Sequence, residues 1–391
     1  MPRTPKALIR PELLVWARES IGYSVEDAAT KLRQPVERLL EWESGAERPS
    51  VAQLRKAAEV YKRPLAVFYL SEPPVTFQAM RDFRRLPSDE EAGAYSPELR
   101  LAIRIVRARR EVALDLLREA GDEPSVPSVS AESVGSVGAL AKAARELLGV
   151  SLETQLAWRN KYEALRGWIT ALEEIGVLVF QTSIVPLAEM RGFSITDSPL
   201  AVIVANAKDS PRGRVFTLLH ELAHILLNDG GVCDLRDSKG RHLSTERRTE
   251  VFCNEVAAEV LVPATALLED LEPEDRHGAR AWSEDELATL SARYSVSREV
   301  VLRRLVTLRL TTERFYRDKR AEYLEAYARQ PARSGRPSYH RIRVRDLGRA
   351  YLGIVLDAYY REAINSADLS EYLGVKLKHI PRLEQEAFGT V

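Results

Sequence analysis

In the stretch "FTLLHELAHILLN", from Phe216 to Asn228, two histidines and one glutamate interrupt an apolar run. An imidazole can be buried neutral and hydrogen-bonded, but burying a carboxylate is costly unless it is paired or lies beside a metal. A bound cation answers both demands. His220 and His224 are four residues apart, so on a helix they project from one face, one turn apart, and both can reach one ion. Glu221, next to the first histidine, is then placed to approach a water on that ion.

This is the HExxH arrangement, in which two histidines hold zinc and the glutamate acts as general base. A tetrahedral catalytic zinc takes a third protein ligand and keeps its fourth position for water. Downstream candidates are His242, Asp229, Asp234, Asp237, Glu246, Glu250, Glu255 and Glu259. "EVFCNEVAAEVLVP", from Glu250 to Pro263, favours one of them. On a helix Glu250, Asn254, Ala257, Ala258 and Leu261 form a stripe whose alanines let a second helix come close. Glu250 is therefore assigned as the third ligand, with Glu246 as runner-up. Asn254, one turn on, is assigned to support the ligands. Cys233 and Cys253 have no paired metal-binding spacing and read as ordinary reduced thiols.

The first 70 residues predict five helices between breakers: Pro11 to Ser20, Val25 to Lys31, Pro35 to Glu43, Val51 to Lys62 and Pro64 to Leu70. Ser24 is the expected N-cap of the second, and Pro11, Pro35 and Pro64 suit first-turn positions. "SVEDAATKLRQPVERLLEWESG" joins two helices by a tight turn over Ala28, Ala29, Leu32, Leu39 and Trp42, a helix-turn-helix pattern. With "AERPSVAQLRKAAEVYKRPLAVFYL" it resembles the five-helix DNA-binding domain of the phage-repressor, or XRE, type. A helical protein-interaction bundle is the alternative. Gln34 and Arg38 are the residues in the turn and second helix suited to reading bases. Residues 1 to 70 carry 12 basic and 9 acidic side chains, a thin excess for neutralising phosphates.

Residues 97 to 119 read as a basic amphipathic helix, and "GDEPSVPSVSAESVGSVG", Gly121 to Gly138, as a linker. "KYEALRGWITALEEIGV" is helical. Strands follow at Val177 to Gln181, Met190 to Thr196 and Leu200 to Asn206, so a small sheet precedes the histidine helix. Behind the site, "SEDELATLSARYSVSREVVLRRLVTLRL" and "NSADLSEYLGVKLKHIPRLE" repeat the helix-turn-helix pattern, with plain helical hairpins as the alternative. Residues 301 to 350 hold 14 basic and 5 acidic side chains. This excess is either a solvated surface or a nucleic-acid patch, and it places any DNA affinity towards the C-terminal region rather than the front.

The 391 residues carry 57 basic and 57 acidic side chains and are 45% hydrophobic, an ordinary globular composition without general affinity for polyanions. Two cysteines argue for a reducing compartment. No apolar leader or membrane-length apolar run is found, so a cytoplasmic protein without a membrane partner is expected. The expected fold is α+β: a mostly helical multidomain chain with a zincin-like core flanked by helix-turn-helix domains. Its expected parts are 1–75 (XRE-like), 76–160 (helical, with the linker at 121–138), 161–275 (metallopeptidase core), 276–330 (helix-turn-helix-like) and 331–391 (basic, helical).

"RVFTLLHELAHILL" followed by "EVFCNEVAAEVLVP" resembles the ImmA/IrrE family of zinc metallopeptidases, as do the preceding "GVLVFQ", "MRGFSI" and "VIVANAKDSPRGR". Cys253 and Val262 stand where that family more often has Ala and Met. The resemblance implies that His220, His224 and Glu250 bind Zn2+ and that Glu221 is catalytic. It also implies a regulatory protease that cuts a helix-turn-helix repressor in stress responses or mobile-element control. An extended substrate is expected to pair with the edge of "LAVIVAN", the strand preceding the histidine helix. The main rival is a DNA- or protein-binding regulator with structural zinc and no peptidase activity; a closed site of that kind needs four protein ligands. A general degradative protease is a third reading, disfavoured by the flanking helix-turn-helix patterns.

Overall fold

The computed structural model describes residues 5–74, 95–229, 245–328 and 338–389. The chain forms two compact units, Met1–Arg81 with Leu86–Ala108, and Asp82–Arg85 with Arg109–Val391. Among the described residues no single helix is long and apolar enough to cross a membrane.

The first unit holds α1 (Pro11–Ile21), α2 (Val25–Leu32), α3 (Val36–Ser44) and α4 (Val51–Val60). Side chains that compete for main-chain bonds mark its helix starts. Ser24 Oγ accepts from Asp27 N at 3.0 Å, and Ser50 and Gln53 form a reciprocal capping box. Ala28, Ala29, Leu32, Leu39 and Trp42 are all buried. Arg18 grips Glu43 with two bonds of 2.8 and 3.0 Å, locking α1 to α3. Two expectations need correction. Pro35 and Pro64 are the N-caps of the elements they open rather than part of their first turns. The fifth helix is a 3-10 turn, Leu65–Tyr69, too short to settle into α geometry.

Helix α5 (Pro97–Ala120) gives residues up to Ala108 to the first unit and the rest to the second. In the second unit α6 (Val137–Leu148), α7 (Leu152–Ala157) and α8 (Lys161–Glu174) lead into the strands β1 (Leu178–Thr182), β2 (Gly192–Ile195) and β3 (Val202–Asn206). Then come α9 (Pro211–Asp229), α10 (Thr245–Leu261), α11 (Ala264–Asp270), α12 (Glu284–Arg293), α13 (Arg298–Thr307) and α14 (Glu313–Ala328). Last are α15 (Tyr339–Leu347), α16 (Arg349–Tyr360), α17 (Ser366–Leu373) and α18 (Ile380–Phe388). The fold is α+β, mostly helical with one three-stranded sheet. The stretch read as a linker belongs to the core: Val134 is buried and Val126 and Val129 pack against it. These isolated valines have no helical or strand period, so the sequence pattern hides them.

The strand order is β1-β3-β2, with β3 parallel to β1 and antiparallel to β2. Strand β3 is thus central and paired on both sides, and the expected substrate edge on "LAVIVAN" does not exist. A pattern of apolar residues announces a strand but not its neighbours. Buried Arg110 ties the turn between β2 and β3 to α5, donating to the carbonyls of Leu200 and Asp197 at 2.7 and 2.6 Å. On β1, Leu178 N and Thr182 O bond towards the β3 side, so the main chain of Val179 faces the other way. There the bend between α15 and α16 closes in: a Cβ on Gly348 would lie 2.3 Å from Val179 O. Tyr351 of α16 packs edge-on against Phe180 at 5.6 Å. Glu173 of α8 accepts from Ala350 N at 3.1 Å at the start of α16. Burial pushes its carboxyl up to about 7, against the opposing pull of the Ala350 and Arg349 amides.

Candidate metal centre

Helix α9 begins at Pro211, where Ser210 Oγ caps Gly213 N at 3.0 Å. It is buried on every side because α8, α10, β2 and β3 all pack against it. This explains its apolar run and sharpens the problem of its polar residues: His220 is fully buried, Glu221 is 2% exposed and His224 6%. Helix α10 lies along α9, and the buried Ala257 and Ala258 permit the approach. Glu250 reaches across from its first turns.

His220 Nε2 and His224 Nε2 are 3.2 Å apart. Glu250 Oε2 lies 3.3 Å from the first and Oε1 3.1 Å from the second. A tetrahedral zinc with bonds of about 2.0 to 2.1 Å needs donors about 3.3 Å apart, so the three side chains fit that ion. Charge points the same way. Burial alone would raise the Glu250 carboxyl, but the two imidazoles outweigh it and hold it below the ordinary carboxylate range. Burial opposes protonation of His224, yet Cys253 and Glu250 outweigh it and raise its affinity for a proton. Both shifts express one demand, a positive charge at the meeting point of these groups. Cys253 is buried beside His224, and burial pushes its thiol up, the behaviour of an inert cysteine.

Glu221 is not one of the three groups whose donor atoms meet. Its Oε2 accepts from Ser194 Oγ of β2 at 2.8 Å, and both residues are buried. Gly192, two residues earlier on the same face of the strand, lets β2 come this close: a Cβ there would meet Thr217 Cγ2 at 2.3 Å and Glu221 Oε1 at 3.6 Å. Sequence reasoning missed Ser194. The signal was the Gly-x-Ser spacing inside "MRGFSI", but it acquires meaning only once β2 is known to lie on α9.

The other candidates fall elsewhere. Asn254 Nδ2 donates to the main-chain carbonyl of Glu250 at 2.7 Å, so it steadies the helix under that residue rather than its carboxylate. Glu259 pairs with Arg304 and caps Ala264 N at 2.9 Å. Glu255 is half-buried, and burial raises its carboxyl. His242, Asp234, Asp237 and Cys233 lie outside the described residues, as do the side chains of Asp229 and Glu246. In the first unit, Gln34 Nε2 donates to the carbonyl of its neighbour Arg33 at 3.0 Å. Arg38 is held by Glu47 at 2.7 Å and Glu41 at 3.2 Å. Both side chains chosen as base readers have intramolecular partners.

Two family models match the chain. The peptidase M78 model, described as the IrrE N-terminal-like domain, matches residues 172–306. A helix-turn-helix model matches residues 14–68. No curated protein matches the chain. The first span runs from the end of α8 through β1 into α13 and includes every residue of the histidine cluster; the second runs from within α1 past α4. The chain is therefore similar over the first span to a generally zinc-dependent peptidase family and over the second to helix-turn-helix domains.

Proposed function

We propose that this protein is a cytoplasmic zinc-dependent endopeptidase that cuts a helix-turn-helix transcriptional repressor and so switches on a stress or mobile-element response. The observation that carries the reading is the convergence of His220, His224 and Glu250 within 3.1 to 3.3 Å, with Glu221 held alongside by Ser194. Those three donors would hold zinc, which when bound supplies Lewis acidity that activates water at neutral pH and polarises the scissile carbonyl. Glu221 takes the proton as water adds to that carbonyl, then returns it to the amine as the carbon–nitrogen bond breaks. Ser194 holds one carboxylate oxygen and leaves the direction of the other defined. Because β3 is paired on both sides and the outer edge of β1 is covered by the bend at Gly348, a substrate strand is left with the outer edge of β2 to join.

A structural zinc in a binding protein would be closed by a fourth protein ligand. Among the described residues the cluster contains three. The decisive experiment uses Glu221→Gln, which keeps the metal donors and removes the base. Candidate repressors incubated with either protein are read by mass spectrometry. The variant is expected to keep zinc and bind the substrate while cleavage falls ~100-fold to ~10,000-fold. Cleavage at the parental rate by the variant, or no cleavage of any bound partner by the parent, would return the protein to the binding-protein reading.

A further inference from the structure

Three helix pairs carry the sequence pattern of a helix-turn-helix, and they differ in how their cations are used. In α2–α3 the outward residues of α3 include exposed Glu37 and Leu40, the latter 48% exposed, while Arg38 is neutralised by Glu41 and Glu47. On that face Arg38, the cation of α3, is already paired. In α12–α13 the cations are structural: Arg298 pairs with Glu284, Arg303 with Glu299, and fully buried Arg304 with Glu259. The third pair, α17–α18, is different.

Asn365 opens α17 with a reciprocal capping box, and Gly374 ends it at φ +59°, the left-handed turn that lets the chain double back. Leu369, Leu373, Val375, Ile380 and Leu383 are buried, with α17 packed on α16 and α18 on α15. Outward from this core stand Lys376, Lys378, Arg382 and Gln385, all exposed. Among the described residues none of these four side chains makes a hydrogen bond or an ion pair. The nearby carboxylates are engaged elsewhere: Glu384 by Tyr360 at 2.8 Å, Glu386 by Arg341 at 2.8 Å and Asp368 by the main chain of Asn365 at 3.1 Å. Glu371 is the exposed acid of α17 and works against an anionic ligand.

We propose that α17–α18 is a binding site for duplex DNA, with α18 entering the major groove. Arg382 and Gln385 are three residues apart on α18 and share a face, a pairing that suits guanine and adenine edges respectively. Lys376 and Lys378 precede α18, at the end where helix N-termini favour phosphate. They also line an open cavity of about 480 Å³, together with Tyr339, Ser370 and His379. The site is independent of the peptidase chemistry and stands or falls separately from it.

The test is fluorescence anisotropy of the full-length protein with a labelled mixed-sequence duplex across about 50 to 200 mM salt. The parent is expected to bind with a clear salt dependence. Lys376→Ala/Lys378→Ala/Arg382→Ala is expected to bind at least ~10-fold more weakly, with the slope of log affinity against log salt reduced by roughly three. The charge-preserving set Lys376→Arg/Lys378→Arg/Arg382→Lys should keep the parental slope, and Arg38→Ala should leave it unchanged. Unaltered thermal melting and metal content in the alanine set show that the fold survives. A parental slope in that set, or a parent that does not bind the duplex at low salt, overturns the assignment.

Discussion

Two glutamates on α10 illustrate opposite solutions to one problem. Glu259, near the C-terminal end, meets Arg304, and the pair is completed by the Val262 carbonyl, which accepts from Arg304 at 2.9 Å. The chain supplies the cation itself. Glu250, near the other end, meets two buried imidazoles that cannot both donate to it and to each other without taking up extra protons. There the positive charge comes from added protons on the imidazoles or, in the proposed function, from zinc. A buried carboxylate is thus informative about function only after its neutralising partner has been sought, and this difference separates a structural ion pair from a metal centre on one helix.

The comparison breaks most sharply at the metal. His224→Ala or Glu250→Gln removes one of three donors and is expected to abolish stoichiometric zinc, a loss larger than the ~10-fold to ~100-fold typical of outer partners. Glu259→Gln should retain zinc in full. Metal analysis of the three purified variants decides it, and zinc retained without Glu250 would erase the distinction between the two carboxylates.

At the structural end, Arg304→Ala strands Glu259 and is expected to destabilise the protein by about 3 kcal/mol, near the lower end for a broken buried pair because Glu259 is 19% exposed. Urea unfolding measures this. Replacing both partners with apolar residues should recover much of the loss, whereas no such double replacement can recover zinc at the other end. The smallest effect concerns Ser194. Its hydrogen bond to Glu221 is worth about 1.5 to 3 kcal/mol as a bond to a charged group, and part of that is expressed as rate. Ser194→Ala is expected to lower kcat about 10-fold while KM and zinc content stay near parental values. An unchanged kcat would show that Glu221 is held well enough by α9 alone.

The parts of this molecule visible in the sequence are those whose geometry lies within one element. His220, Glu221 and His224 are set by the pitch of a single helix, and Glu250 was picked out by its alanine stripe because that stripe belongs to α10 alone. Ser24 marked a helix start through a local bond. What escaped depends on contacts between distant segments. The central position of β3, the burial of Val134, the bond from Ser194 to Glu221 and the pairing of Arg38 with Glu47 each join residues whose nearness is created by folding. Arg38 shows the risk most plainly: its residue type suited DNA, and its neighbours had already claimed it.

The covering of β1 by the bend at Gly348 has a practical consequence for anyone isolating the peptidase. The matched span stops at residue 306, yet the outward main chain of β1 is shielded by residues some forty positions further on. A fragment trimmed to that span would bare a flat strand edge, the kind of template on which copies of a chain stack and precipitate. Soluble expression of the matched part therefore calls for carrying α15 and α16 along, as a clamp that lies outside the matched span yet protects its sheet.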